Sequence, residues 1–189
     1  MAVATMKVDN RRCRLCEVSK PLADFELDKR VKGGRTNRCK KCKLESKNKA
    51  THAFYKLCQR AKKSGEEVEV TLEEVKSLFE MFDGTCIYCG EKESEDGPTF
   101  HLEHVIARSS GGRNHISNLV ISCPSCNSRK HNLPVVSYFF KDDRFKDDYF
   151  RLLAYYLSFA SKQPVEEILW ELTDQHATYE TRRMLEGAV

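Results

Sequence analysis

The chain has 189 residues, of which 40% are hydrophobic and 32% are charged, and its formal net charge is +4. This composition fits a folded globular protein and excludes collagen-like and wholly disordered chains. No apolar run approaches the length of a membrane-spanning helix, and the opening MAVATMKVDNRRC lacks the apolar stretch of a signal peptide, so we expect no membrane contact and a cytoplasmic location.

The N-terminal third is strongly basic. Residues 1–63 have a net charge of +13, whereas residues 64–189 have a net charge of −9. Such an asymmetry favours a polyanionic partner for the basic part. Within it, Arg38, Lys40 and Lys41 flank a cysteine pair and are candidate contacts to a nucleic-acid backbone.

Eight of the nine cysteines form four C-x2-C pairs. Two such pairs can supply the four thiolates of a tetrahedral zinc site, and disulfides are not expected in a reducing compartment. Sequence order predicts two structural zinc sites, with redox use of the pairs as the alternative. The predicted ligand sets are Cys13, Cys16, Cys39 and Cys42 for the first site, and Cys86, Cys89, Cys123 and Cys126 for the second. Cys58 is left over and is expected to be a buried structural thiol.

The first zinc site encloses too few residues for a hydrophobic core and predicts a small zinc-ribbon or knuckle module held by its metal. A basic helical pattern follows and ends near Gly65; it either lies along a phosphate backbone or links two domains. A clearer helix begins at Thr71, because Thr71 and Glu74 have the spacing of a capping box.

Two β-branched stretches, at 101–106 and 119–122, predict short strands on either side of the loop RSSGGRNHIS. From Cys126 onward the pattern predicts a helical turn, and two amphipathic helices follow toward the C-terminus. Their aromatic residues Phe145, Tyr149, Tyr155 and Trp170 are expected in the core.

The predicted fold class is α+β, in four parts. These are a basic four-cysteine zinc module at 1–48, a basic helical linker at 49–70, a core of two strands and a helix at 71–135, and a C-terminal helical extension at 136–189.

The predicted strand, loop, strand and helix carry four short motifs in order. They are Glu103-His104, Gly111-Gly112, Asn118-Leu119 and Cys123-x2-Cys126-Asn127. With these motifs at these spacings, the segment 86–132 resembles the HNH endonucleases, the ββα-metal nucleases of phages, mobile elements and restriction systems. The N-terminal zinc unit is similar, more loosely, to modules attached to some phage endonucleases.

The resemblance implies a role for each motif residue. His104 would be the general base, and Asn118 would hold the loop that follows it through hydrogen bonds to the backbone. Glu103 and Asn127 would bind a catalytic Mg²⁺ or Mn²⁺. His131, four residues after Asn127 on the expected helix, would complete that site. Arg108, Arg113, Arg129 and Lys130 are candidate phosphate contacts.

The sequence therefore predicts a metal-dependent endonuclease that hydrolyses DNA, with double-stranded DNA as the expected partner. By resemblance, the products would carry 5′-phosphate and 3′-hydroxyl ends. A catalytically silent nucleic-acid-binding protein and an RNA-directed nuclease are the alternatives. A phage or mobile-element origin would place the protein in a bacterial host cell, and the oligomeric state stays open, a homodimer included.

Overall fold

The computed structural model describes residues 9–45, 48–94, 97 and 99–186. It confirms the α+β fold class. The chain divides into two compact units, residues 1–55 and residues 56–189. Each unit contains one of the two cysteine clusters. The four-part division drawn from the sequence stays a prediction.

The first unit consists of two short antiparallel hairpins and a helix. Strand β1 (Asn10–Arg12) pairs with β2 (Ser19–Pro21), and β3 (Phe25–Leu27) pairs with β4 (Arg35–Cys39). Helix α1 (Lys40–Glu45) follows directly. Phe25 is fully buried against the cysteine cluster, so the metal-ligand residues are themselves most of the core.

Two helices lead to the second zinc cluster. Helix α2 (Lys49–Ser64) crosses the division between the units and ends at the residue before Gly65, as the basic pattern predicted. Helix α3 (Leu72–Phe82) begins at Thr71 with both hydrogen bonds of the capping box, which confirms that prediction. It ends at Asp83, which adopts a left-handed conformation.

The centre of the second unit is an antiparallel pair of strands followed by a helix. Strand β5 (His101–His104) pairs with β6 (Leu119–Ser122), which confirms the predicted strands. Helix α4 (Pro124–Lys130) begins earlier than the helical turn predicted from Cys126, because Cys123 caps it and Pro124 occupies its first turn.

Three helices complete the second unit. Helix α5 (Val135–Lys141) was not predicted, and α6 (Asp147–Ser161) and α7 (Val165–Glu186) were. Phe145 packs in the core against Tyr88, at 5.1 Å between ring centroids. Tyr155 and Trp170 are 64% and 70% exposed, so the prediction that they are core residues is wrong. None of the helices in the described part of the chain is both long and apolar enough to span a bilayer.

Both four-cysteine clusters are assembled as the sequence order predicted. Within each cluster, all four sulfur atoms lie within 4.8 Å of one another. Cys89 Sγ and Cys123 Sγ are 3.9 Å apart. A tetrahedral ion with Zn–S bonds of about 2.3 Å requires about 3.8 Å between sulfurs. The donor set and its spacing therefore fit two structural zinc ions.

We expect Cys123→Ser to remove one of two bound zinc ions and to unfold the second unit. A structural zinc site contributes about 10–16 kcal/mol, which matches or exceeds the net stability of a typical domain. Zinc content by mass spectrometry and near-ultraviolet circular dichroism measure the two effects. Cys58→Ser is the matched control, because Cys58 belongs to neither cluster, and it should retain both ions. A folded Cys123→Ser protein with two zinc ions would contradict the assignment.

Candidate active site

Strand β5 presents its two motif residues from the middle of the unit. In the pairing with β6, Glu103 lies opposite Val120 and His104 lies opposite Leu119. Successive side chains on a strand point to opposite faces, so Glu103 and His104 enter different surroundings although they are neighbours in sequence. Both are buried, with 8% and 9% of their surface exposed.

The Gly-Gly and Asn-Leu motifs shape the loop that follows His104. Gly111 has a φ of +84°, which favours glycine, and a Cβ at Gly112 would lie 1.8 Å from the carbonyl oxygen of Ile106. The side chain of Asn118 accepts from Ile106 N at 2.7 Å and donates to the carbonyl oxygens of Ile106 and Arg113 at 3.1 and 3.0 Å. The loop is thus fixed to the start of β6 through one amide side chain.

The imidazole of His104 is held by a side chain from this loop. Its Nε2 lies 2.9 Å from Asn114 Oδ1. Burial lowers the pKa of His104 most, and the nearby cations of Arg60 and Arg108 lower it further. Since an ordinary histidine has a pKa of about 6.5, this ring is neutral at pH 7 and can accept a proton.

Glu103 shares its surroundings with a buried lysine. Lys130 is fully buried, and its Nζ donates to Glu103 Oε1 at 3.1 Å and to the His104 carbonyl oxygen at 2.9 Å. Burial raises the pKa of Glu103 and lowers that of Lys130. The prediction that Lys130 contacts a nucleic-acid backbone is therefore wrong, because its ammonium is enclosed by the protein. The contact occupies one of the two carboxylate oxygens of Glu103.

Asn127 lies next to a histidine that the sequence analysis did not single out. The Asn127 amide is 2.7 Å from Nδ1 of His101, at an exposed position. Residues 101 and 103 share one face of β5, so the side chains of His101 and Glu103 point to the same side of the strand pair.

His131 does not continue the helix as expected. Helix α4 ends at Lys130, and His131 follows with a φ of +45°. The four-residue helical spacing therefore gives no support to His131 as a partner of Asn127. Among the described residues, side chains of His, Cys, Asp and Glu gather at metal-ligand distances only in the two cysteine clusters.

Three predicted phosphate contacts are engaged by acidic side chains. Arg108 donates two hydrogen bonds of 2.7 Å to Glu66, and Arg113 pairs with Glu69. Arg129 pairs with the buried carboxylate of Asp142 at 3.0 Å. The pKa of Glu66 falls to about 2 because of Arg108. A phosphate would have to compete with these carboxylates.

Sequence analysis missed three residues near the site. Asn114 contacts His104. The pKa of His101 is lowered mostly by burial and further by the nearby charges of Lys56 and Arg60. Lys56 and Arg60 are exposed and one helical turn apart on α2. Their spacing was visible in the sequence, but nothing there indicated that α2 comes near β5.

Comparisons with known proteins agree with this geometry. Residues 86–133 match the HNH endonuclease family. The chain is also similar to YoqL of Bacillus subtilis (strain 168), whose name describes it as a candidate HNH endonuclease derived from the SPbeta prophage. The two are 33% identical over 97 residues, covering 47% of this chain and 40% of that protein. The resemblance drawn from the motifs is confirmed over residues 86–133.

We expect Lys130→Met to lower the free energy of unfolding by about 3–5 kcal/mol, because it leaves Glu103 buried without its partner. Urea unfolding, followed by circular dichroism, measures the change. Lys141→Met is the control, since Lys141 is exposed at the end of α5, and its effect should be small. Replacing both partners, Glu103→Leu with Lys130→Met, should restore most of the loss. Equal stability of the two single lysine variants would contradict a buried pair.

Proposed function

We propose that the protein is an HNH endonuclease that hydrolyses phosphodiester bonds of DNA with the help of one divalent cation. One observation carries the proposal: a neutral, oriented imidazole, His104, directly follows Glu103 on β5 within the segment that matches the HNH endonuclease family. The products would carry 5′-phosphate and 3′-hydroxyl ends. The basic cysteine module would bind the nucleic acid.

The chain supplies the proton acceptor for the reaction. His104 removes a proton from a water molecule, and the resulting hydroxide attacks phosphorus, so that the bond to the 3′-oxygen breaks and the departing oxygen takes a proton from solvent. Asn118 keeps the loop after His104 in place and does not act chemically. Because burial holds the imidazole neutral, the base is ready at neutral pH.

The residues near His104 fit a hard divalent cation. Glu103 offers a carboxylate oxygen and Asn127 offers an amide oxygen, the ligand types that Mg²⁺ and Mn²⁺ prefer. Mg²⁺ commonly keeps several waters and takes only one or two carboxylates from a protein, so a full set of protein ligands is not required. Bound there, the cation would stabilise the charge on the departing oxygen. For the third ligand we propose His101 in preference to His131, because His101 already contacts Asn127.

Two groups of cations would bind the substrate. Lys56 and Arg60, exposed beside the site, are suited to the phosphates near the scissile bond. Arg38, Lys40 and Lys41, all exposed in the first unit, are suited to other phosphates of the backbone. Arg108, Arg113 and Arg129 would join them only on release from their acidic partners.

A catalytically silent nucleic-acid-binding protein is the second candidate. The observation that favours it is the contact of Lys130 with Glu103, which places an ammonium against the carboxylate proposed to bind the cation. Incubation of plasmid DNA with the protein and Mg²⁺ or Mn²⁺ separates the candidates, since only the nuclease converts supercoiled plasmid to nicked or linear forms. Parallel reactions with single-stranded DNA and structured RNA test whether RNA is the substrate.

We expect His104→Ala to lower the rate of plasmid cleavage by at least about 100-fold, the usual contribution of a general base. The fold should persist, because the zinc cluster and the paired strands do not depend on this side chain. The matched control is His52→Ala, an exposed histidine on α2, which should cleave at the wild-type rate. Cleavage by His104→Ala at a comparable rate would contradict the assigned role.

Replacing Arg38, Lys40 and Lys41 with alanine should weaken DNA binding and reduce the dependence of affinity on salt by about one unit of slope per lost contact. The cleavage rate at saturating protein should stay unchanged, because none of these residues is among the groups that act on His104. Fluorescence anisotropy at several salt concentrations measures the slope.

The variant with Lys56→Ala and Arg60→Ala provides the contrast, since it should lower the rate at saturation as well. If the first set lowered the saturated rate as strongly as the second, the division of roles would be wrong.

A further inference from the structure

The turn that carries Asn114 is bound by a segment upstream of the family match, residues 65–70, here called the clamp segment. The carbonyl oxygen of Asn114 accepts hydrogen bonds from Glu69 N and Val70 N, both at 3.0 Å. Val68 pairs with Asn114 as an isolated parallel bridge. Asn114 is only 2% exposed, so its position is set by the protein.

The clamp segment also fixes which way the Asn114 amide faces. Its Nδ2 donates to the carbonyl oxygen of Glu67 at 2.8 Å and lies 3.4 Å from Glu66 Oε2. A backbone carbonyl can only accept a hydrogen bond, so the nitrogen of the amide must face Glu67. The oxygen, Oδ1, must then face His104.

This orientation determines the tautomer of His104. Oδ1 can only accept, so Nε2 of the imidazole must carry the hydrogen in their 2.9 Å contact. In a neutral ring, Nδ1 is then the unprotonated nitrogen. Nδ1 has no hydrogen-bond partner among the described residues, and it is not one of the fully buried atoms that lack a partner, which are Tyr88 Oη and Ser122 Oγ.

We infer that Asn114 is a positioning residue that holds His104 as the Nε2–H tautomer, and that the Glu67 carbonyl of the clamp segment fixes Asn114 in turn. The consequence of this tautomer for cleavage rests on the proposed function, because Nδ1 of His104 acts as a base only if the protein is a nuclease. The tautomer itself does not depend on that function. Glu66, whose carboxylate lies near the Asn114 amide, is itself held in place by two 2.7 Å hydrogen bonds from Arg108.

The first arm of the test is spectroscopic and uses the full-length zinc-loaded protein labelled with ¹⁵N-histidine. The wild-type protein should show a slowly exchanging Nε2–H cross-peak of His104, identified by its absence in His104→Ala. Asn114→Ala should lose this peak, because the hydrogen has no acceptor. Asn114→Asp keeps an acceptor oxygen and should retain it.

The second arm measures plasmid cleavage by the same variants. Asn114→Ala should lower kcat by about 10- to 100-fold with KM little changed, the usual range for a residue that orients a catalytic group. Asn114→Asp should recover part of the rate. In a His104→Ala background, Asn114→Ala should cause no further loss, since both act through one imidazole. His115→Ala is the matched control, because its side chain contacts Ser117 instead, and it should keep both peak and rate.

The outcomes separate the two proposals. A wild-type His104 protonated on Nδ1, or a peak that survives in folded Asn114→Ala, overturns the inference whatever the cleavage result. If Asn114→Ala fails to fold, the tautomer of His104 in the wild-type protein decides, because protonation on Nδ1 overturns the inference. A wild-type protein that shows the protected peak but never cleaves overturns the proposed function and leaves the inference supported.

Discussion

The second four-cysteine cluster is the constraint on which the rest of this unit depends. Cys86 and Cys89 precede β5, whereas Cys123 and Cys126 stand at the start of α4, so an ion bound by all four would join the two ends of the strand pair and the helix. A four-residue strand pair is too short to be stable alone. The cluster therefore determines the position of β5, and with it the positions of Glu103 and His104.

On β5, the adjacent residues Glu103 and His104 have different electrostatic surroundings. His104 is kept neutral by burial and nearby cations, while Glu103 is compensated by a lysine with no access to solvent. Burying the Lys130 ammonium without a carboxylate would cost free energy, and so would burying the Glu103 carboxylate without an ammonium. Each group therefore offsets the cost of burying the other. The same lysine also donates to the His104 carbonyl oxygen, and so links α4 to the strand that carries His104. The side chains proposed for catalysis therefore also contribute to the stability of the fold.

Much of the fold was predictable because its signals are local. The capping box at Thr71, the cysteine spacing and the β-branched stretches each act over a few residues, and each was confirmed. Features that depend on distant contacts were not predictable. Lys130 looked like a surface cation, since nothing in its neighbourhood shows that Glu103 covers it.

The same limit applies to the arginines and to the C-terminal helices. Arg108 and Arg113 find their acidic partners more than forty residues away, in the segment before α3. The amphipathic pattern of α7 indicated an apolar face but not its extent, and only Ile168 and Leu172 are buried there. Trp170 is therefore exposed although its residue type favours the core.

The link from Glu67 to Asn114 is made by a main-chain carbonyl, which every amino acid possesses. Substitutions at position 67 can accumulate without disturbing that link, provided the path of the backbone is kept. Divergent relatives could thus preserve the support of His104 while losing all detectable similarity in this stretch. The structural support of His104 then extends beyond the part of the chain that the family match covers.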